Sequence, residues 1–296
     1  MTLYLTKEHM GIYLKGILDK LFLDKTDYSI KNFSVTWINF KRNSFLQTTR
    51  YGYGLNNTKH IYPASIVKLV YGFATYCWIE KGILLFDENV NTAVFKMLSE
   101  SSNDATSFIV DLLTGTTSGP SLDGKKWENW KYQRNIINEW LKNLHWDTLE
   151  GINCCQKTWE ESPYGREKDF YGENNINKNL MSTDSTARIM IEIMQKIKYR
   201  DGNINLKSFL SRDLKRDTFL RDPNNQIEGF LGEGLPENIP FWSKAGLMSQ
   251  VRHDAAWWTN QDLSDTLLVV FGNSQGFVND KCFFPKLAKE IYRYNN

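Results

Sequence analysis

The chain has 296 residues and a formal net charge of +2 at pH 7, from 36 Lys and Arg against 34 Asp and Glu. With 41% hydrophobic and 24% charged residues it has the composition of an ordinary globular protein of one large or two small domains. The composition excludes a disordered chain, a collagen-like repeat and a coiled coil as the main content. The balanced charge, without a basic stripe, argues against nucleic acid as a partner.

Cysteine usage and the first residues bear on cofactors and compartment. The four cysteines have neither zinc spacing nor the density of a disulfide framework, so we expect no metal and no cofactor. Charges interrupt every apolar run near the start, as in Lys15 and Lys20, so no signal peptide is recognisable. No stretch is long and apolar enough to span a membrane. These features predict a cytoplasmic protein without membrane contact, although a chain shortened at its start would look the same.

The predicted elements begin with a helix over residues 8–24, where apolar residues recur at helical spacing. Two strands follow at 33–40 and 45–54, joined by a turn at 41–44, since both runs are rich in β-branched and aromatic residues. The clearest helix covers 65–82, with Ser65 as its N-cap and Gly82 just after its end. This helix is apolar nearly all round, which predicts that it is buried.

The rest of the chain continues with helices, interrupted by two long irregular stretches, and ends in strands. The predicted helices are 90–98, 105–113, tryptophan-rich segments up to about 145, 183–197 and 284–294. The predicted linker and loops are 115–126, 147–181 and 221–240. The predicted strands are 241–245, 254–258 and 266–271.

Strands at both ends of the chain, with helices between them, predict an α+β fold. Because sequential strands tend to pair, we expect one antiparallel five-stranded sheet built from both chain ends. The helical middle would form a second lobe of a single domain. We place the α/β lobe at about 1–60 and 220–296 and the helical lobe at about 61–219. A small-molecule or peptide substrate would then bind in the cleft between the lobes.

Ser65 and Lys68 are three residues apart in the buried helix and therefore share one of its faces. Burial disfavours a charged lysine, and a neutral amine beside a hydroxyl is a general base beside a nucleophile. The alternative is that Ser65 only caps the helix and that Lys68 reaches solvent.

Two further short patterns lie downstream. Ser101 and Asn103 lie two residues apart between predicted helices, where they would face a cleft or simply form a polar, capping loop. Lys244, Ala245 and Gly246 close a strand, where the lysine would face the same cleft and the glycine would let a substrate lie against the strand. The alternative for Lys244 is a surface lysine before a turn.

Together these elements, Ser-x-x-Lys, Ser-x-Asn and Lys-x-Gly in that order, resemble those of the penicillin-binding proteins and class A β-lactamases. The resemblance extends from about residue 30 to the end, and the order of strands and helices is similar too. It implies that Ser65 is the acyl-forming nucleophile and Lys68 its base. It also implies that Ser101 relays a proton to the leaving group and that Asn103 holds Lys68 and the substrate amide.

The same resemblance assigns the remaining site residues. Lys244 would add positive charge beside Ser101, and Ala245 and Gly246 would line the substrate site. The backbone N–H groups of Ser65 and Leu247 would form the oxyanion hole. Arg252, on the strand after the Lys-x-Gly element, would bind a substrate carboxylate, with a surface charge at a strand edge as the alternative.

The chain departs from the family in several places. Ala245 stands where Thr or Ser is usual, so one hydroxyl near the substrate carboxylate is missing. The Glu-x-x-Leu-Asn pattern, whose glutamate activates the hydrolytic water in class A β-lactamases, is absent. Glu160 is the candidate for that role, and the alternative is a solvated loop charge. Nearby carboxylates compete for the role, namely Glu161, Glu167, Asp169 and Glu173.

Three functions follow from these residues. We expect an active-site serine hydrolase that cleaves an amide or ester through an acyl-enzyme on Ser65, as an intracellular amidase, peptidase or esterase. The first alternative is a class A-like β-lactamase that hydrolyses β-lactam antibiotics. The second is a binding module on the same scaffold without catalysis, in which the 10 Trp and 14 Tyr would stack on a sugar or peptide.

Overall fold

One sheet, contributed by both ends of the chain, organises the fold in the computed structural model, which describes residues 2–42 (only the backbone at 42), 48–197 and 203–295. Its strands within those ranges lie in the order β1-β3-β2-β6-β5-β4. Their bounds are β1 (Leu5–Thr6), β2 (Phe33–Arg42), β3 (Thr48–Leu55), β4 (Phe241–Met248), β5 (Val251–Thr259) and β6 (Asp265–Gly272).

The α+β class is confirmed, but the prediction of five antiparallel strands was wrong. The described part of the sheet has six strands, because β1 pairs parallel with β3 through Leu5↔Tyr51 and Thr6↔Gly52. The other pairs are antiparallel. A strand of two residues is too short to show a hydrophobic period, so β1 could not be predicted from the sequence.

Twelve α-helices lie within the described ranges. They are α1 (Glu8–Leu21), α2 (Lys68–Glu80), α3 (Glu88–Ser99), α4 (Asn103–Thr114), α5 (Gly124–Arg134), α6 (Ile136–Lys142), α7 (Gly165–Tyr171), α8 (Thr183–Ile191), α9 (Leu206–Leu210), α10 (Arg216–Phe219), α11 (Gln275–Asn279) and α12 (Phe283–Asn295). Each of them is too short or too polar to cross a membrane. A five-residue π-helix, Glu192–Lys196, prolongs α8.

Three local predictions need correction. The turn at 41–44 was misplaced, because β2 runs on through Arg42, while residues 43 and 44 lie outside the described ranges. Ser65 is not an N-cap, since it lies within a 3₁₀ turn, Ala64–Val67, that leads directly into α2. The loop predicted at 147–181 contains α7, which is only seven residues long and leaves little periodicity to read.

Both faces of the sheet are covered by helices. Val35 and Trp37 of β2 point to the face that packs against α1 and α12, whereas Ile38 and Phe40 belong to the core on the side of α2 and α8. All four side chains are at most 2% exposed. The alternation of side chains between two cores explains why β2 carries large apolar side chains on both faces.

A cluster of largely buried charged side chains connects the segment after α6 with helices α4 and α5. Its members are Asp111, Arg134, Lys157 and Glu167. Arg134 of α5 donates from Nη2 and Nη1 to the two carboxylate oxygens of Glu167 in α7, at 2.7 and 3.0 Å. Lys157 donates to Asp111 of α4 at 2.7 Å. The Glu167 and Arg134 side chains are fully buried, so each charge depends on its partner.

We predict that Glu167→Gln lowers the free energy of unfolding by about 3 kcal/mol, because it removes the carboxylate that pairs with both Nη atoms of the buried Arg134 guanidinium and leaves only the longer contact with Asp111, at 3.4 Å. Urea unfolding followed by tryptophan fluorescence measures this. The control is Glu128→Gln, since the Glu128 side chain is 66% exposed and pairs with Lys131 on the surface of α5. We expect the control to change stability by less than about 0.5 kcal/mol. Equal losses in the two variants would contradict this account.

Candidate active site

Ser65 lies on the tight 3₁₀ turn that precedes α2, and its side chain is half-buried. The turn is strained, because Ala64 has φ +47°, a conformation that residues with a Cβ rarely adopt. Strand β4 runs directly past it. A Cβ on Gly246 would lie 2.9 Å from the carbonyl oxygen of Pro63 and 3.3 Å from the backbone nitrogen of Ser65. A glycine is therefore required for β4 to approach Ser65 this closely.

Lys68 lies in the first turn of α2, and its side chain is completely buried rather than extended into solvent. Its Nζ donates to the carbonyl oxygen of Ser101 at 2.6 Å, to Ser101 Oγ at 3.2 Å and to Asn103 Oδ1 at 2.8 Å. Burial lowers the pKa of Lys68 to about 7, partly offset by the negative charge of Glu160. A substantial fraction of this amine is therefore neutral near pH 7.

The Ser-x-Asn segment divides its polar groups between a helix cap and the cleft. Ser102 caps α4 by accepting a hydrogen bond from the backbone nitrogen of Ala105 at 3.1 Å. Ser101, with φ +60°, and Asn103 turn instead toward Lys68. The capping interpretation is therefore correct for Ser102, while its two neighbours reach the amine of α2.

Lys244 of β4 is also fully buried, so it is not a surface lysine. Its Nζ donates to Ser101 Oγ at 3.0 Å, to Gln226 Oε1 at 2.6 Å and to the carbonyl oxygen of Ala245 at 2.8 Å. Burial, and then the nearby positive charges of Lys68 and Arg212, lower the pKa of Lys244 well below its ordinary value. The hydroxyl of Ser101 thus lies between two lysine amines.

Gln226 is a site residue that the sequence analysis missed. Its Oε1 accepts hydrogen bonds from Lys244 and from the backbone nitrogen of Ala245, the latter at 3.0 Å, and its Nε2 donates to the carbonyl oxygen of Ser99 at 2.8 Å. This buried amide joins β4 to the segment that carries Ser101. It lies in a polar loop, and no motif or periodicity distinguishes it there.

A narrow cleft of about 180 Å³ opens above these groups. It is lined by Tyr62, Ala64, Ser65, Ser101, Asn103, Thr158, Trp159, Glu160, Leu247 and Met248. Wider grooves occur elsewhere, and the one of about 570 Å³ beside α12 is lined by other residues. Within the described ranges, no group of three His, Cys, Asp or Glu side chains is arranged to hold a metal ion.

Glu160 is the carboxylate at this cleft, where its Oε2 accepts from Asn103 Nδ2 at 3.3 Å. Among its competitors, Glu167 is confined to the buried ion cluster with Arg134. The others, Glu161, Asp169 and Glu173, are outside the cleft lining. The structure therefore brings Glu160 together with Ser65, Ser101 and Asn103.

Two of the predicted substrate-binding side chains do not reach the cleft. The Arg252 guanidinium is buried and donates to the carbonyl oxygens of Phe277, Gly229 and Val278, at 3.0, 2.8 and 2.8 Å. It belongs to neither the cleft nor an exposed strand edge, so its assignment needs correction. The Ala245 methyl packs into the core on the side of α1 and α12. Leu247, by contrast, lines the cleft beside Ser65, as an oxyanion hole would require.

Comparisons with known proteins find solved structures with a similar fold. The structure is similar to a β-lactamase from Chitinophaga pinensis DSM 2588, with a TM-score of 0.63 and 13% identity over 96% of this chain and 99% of that one. It is also similar to PBP-A, with a TM-score of 0.63 and 12% identity over 97% of this chain and 96% of that one. The TLA-1 extended-spectrum β-lactamase gives a TM-score of 0.63 and 12% identity over 97% and 99% of the two chains.

These structures share the fold at low identity, and a search of curated proteins finds no match. The family model described as the beta-lactamase enzyme family matches residues 43–295, most of the chain, including every residue of the cleft. The protein belongs to the beta-lactamase enzyme family.

Proposed function

We propose that the protein is a serine hydrolase that cleaves an amide or ester through an acyl-enzyme on Ser65. The observation that carries the proposal is the buried Lys68 amine, one helical turn from Ser65 and bonded to Ser101 and Asn103. A buried amine costs free energy unless it is paired or neutral. The family membership supports a hydrolase of the penicillin-recognising type.

In the acylation step, neutral Lys68 accepts the proton of Ser65 Oγ while that oxygen attacks the substrate carbonyl carbon. The backbone N–H groups of Ser65 and Leu247 stabilise the oxyanion of the tetrahedral intermediate, and each such donor is worth about 3 kcal/mol. When the intermediate collapses, the leaving nitrogen or oxygen takes a proton from Ser101 Oγ. Ser101 recovers one from the ammonium of Lys68, with Lys244 beside it.

Deacylation needs a water molecule and a base. Glu160 is the exposed carboxylate in the cleft, held by the amide of Asn103. In the proposed step it takes a proton from the attacking water, whose oxygen bonds to the acyl carbon. The Ser65 ester bond breaks, the proton held by Glu160 is returned to Ser65 Oγ, and a carboxylic acid leaves.

A β-lactamase is the second candidate, and the position of Glu160 beside Asn103 favours it. A variant of PBP-A, a protein with the same fold, has been solved as an acyl-enzyme complex with penicillin G. Sustained hydrolysis of nitrocefin would support this candidate, whereas a single burst followed by a stable adduct would support a hydrolase of other substrates. A binding module without catalysis is disfavoured, because binding alone does not require two buried lysines at Ser101.

We predict that Ser65→Ala abolishes covalent labelling by a fluorophosphonate probe and any ester hydrolysis, because the attacking oxygen is gone. Intact-protein mass spectrometry measures the adduct. Ser162→Ala, a change at an exposed residue of the neighbouring loop, should be labelled like the parent protein. Labelling of Ser65→Ala at the parent rate would refute the proposed nucleophile.

We also predict that kcat/KM rises with pH through about 7, because acylation requires Lys68 without its proton. Below that midpoint the rate should increase about tenfold per pH unit. Glu160 raises the Lys68 pKa, so acylation by Glu160→Gln, measured in a single turnover, should reach its midpoint at lower pH. Glu161→Gln should leave the midpoint unchanged. A parent profile that rises only near pH 10 would exclude Lys68 as the base.

A further inference from the structure

We propose that His253 is a positioning residue for the nucleophile, because it holds the turn that carries Ser65 in a fixed place beside strand β4. The inference rests on the proposed function, since the place of Ser65 matters only if Ser65 attacks the substrate. His253 is the one buried histidine among the four of the chain. The acylation and deacylation steps described above do not use it.

His253 lies at the centre of a row of three cross-strand neighbours. It pairs with Gly246 of β4 on one side and with Phe271 of β6 on the other. Cross-strand neighbours point to the same face of a sheet, so the imidazole lies on the face where Gly246 meets the Ser65 turn. The ring stacks on Phe271, with ring centroids 4.3 Å apart. Its place is therefore set by the interior of the sheet.

From this place the imidazole reaches the backbone of the turn. Its Nε2 lies 2.9 Å from the carbonyl oxygen of Tyr62, and because a carbonyl oxygen only accepts, Nε2 carries the proton. Burial lowers the pKa of His253 to about 4, against the opposite effect of its bonds with the backbone of Tyr62 and Arg252. Near pH 7 the ring is therefore neutral, and its one N–H is donated to Tyr62.

The Ser65 turn depends on support of this kind because its own backbone is strained. Ala64 has φ +47°, and a residue in such a conformation persists only where its surroundings hold it. Pro63, the residue before Ala64, has no backbone N–H with which to bond to the sheet. The hydrogen bond from His253 to the Tyr62 carbonyl instead attaches the beginning of the turn to β5.

This attachment also sets the spacing of the two proposed oxyanion donors. One is the backbone N–H of Ser65 on the turn, and the other is that of Leu247, which follows Gly246 on β4. Strand β4 is paired with β5, and the turn is bonded to β5 through His253, so both donors are held by the same strand. Loss of the His253 bond lets the turn shift, and a misplacement of about 1 Å costs about 100-fold in rate.

Side chains with and without an N–H donor test this role. His253→Met removes the donor, whereas His253→Gln offers an amide N–H at a similar reach. The measured quantity is the rate constant for labelling by a fluorophosphonate probe, per folded molecule. We expect it to fall at least about tenfold in His253→Met and to recover to within about threefold of the parent in His253→Gln.

His60→Met is the matched control for these variants. It removes an exposed imidazole whose Nε2 also lies near a backbone carbonyl oxygen, that of Glu150 at 3.0 Å, but outside the Ser65 turn. Its labelling rate should stay within about twofold of the parent, as for other surface substitutions. A tenfold loss in this control as well would mean that the effect is not specific to His253, and the inference would fail.

Urea unfolding separates positioning from a merely structural role. His253→Met leaves the Tyr62 carbonyl oxygen without a donor, whereas His253→Gln supplies that donor but buries an amide oxygen and a second N–H without partners. We therefore expect His253→Gln to be no more stable than His253→Met, although it is labelled faster. An unchanged labelling rate in His253→Met, or a loss that His253→Gln does not restore, would overturn the inference.

A measurement on the unsubstituted imidazole covers the case in which His253→Met does not fold. His253 becomes the only histidine when the three exposed ones, His9, His60 and His145, are replaced by Gln. The ¹⁵N chemical shifts of its ring then report the tautomer. We expect the Nε2–H form with a slowly exchanging proton, and the Nδ1–H form would contradict the bond to Tyr62.

The labelling experiment also separates this inference from the proposed function. If Ser65→Ala is labelled as fast as the parent, the nucleophile is misassigned and both proposals fail. If labelling requires Ser65 but is equally fast in His253→Met, the hydrolase proposal stands and only the role of His253 fails.

Discussion

The convergence of two buried lysines on one serine hydroxyl is the constraint on which the site depends. Lys68 and Lys244 donate to Ser101 Oγ at 3.2 and 3.0 Å, from a helix and a strand that lie far apart in the sequence. Two ammonium groups this close, away from water, would repel each other strongly. The arrangement is therefore stable only if acceptors surround both amines and if the amines readily lose protons.

The fold supplies those acceptors from separate elements. The segment between α3 and α4 provides the carbonyl and hydroxyl of Ser101, and Gln226 provides an amide oxygen from the loop before β4. Strand β4 comes close to the Ser65 turn because Gly246 has no side chain. Strand β4, near the end of the chain, and helix α2, nearer its beginning, thus meet at one cleft. Both ends of the chain contribute strands to the sheet that holds them there.

The sequence was informative where chemistry depends on short spacing. Ser65 and Lys68 could be paired because one helical turn separates them, and the hydrophobic pattern correctly indicated that Lys68 is buried. The main strands were also recognisable. Features that depend on long-range contacts were not recognisable. Strand β1 is only two residues long, and Gln226 bonds to residues that are distant in the chain. Arg252 was misplaced because a motif position does not say toward which face of a sheet a side chain points.

The pKa of Lys68 tests most directly whether this lysine is the general base. Protein labelled with ¹³C at lysine Cε can be titrated by NMR, and the Lys68 resonance is identified by its loss in Lys68→Met. We expect this resonance to titrate near pH 7, because burial lowers the pKa of Lys68 to about 7. Titration near the ordinary lysine value of 10.5 would mean that Lys68 stays protonated at neutral pH, and the proposed general base would then be contradicted.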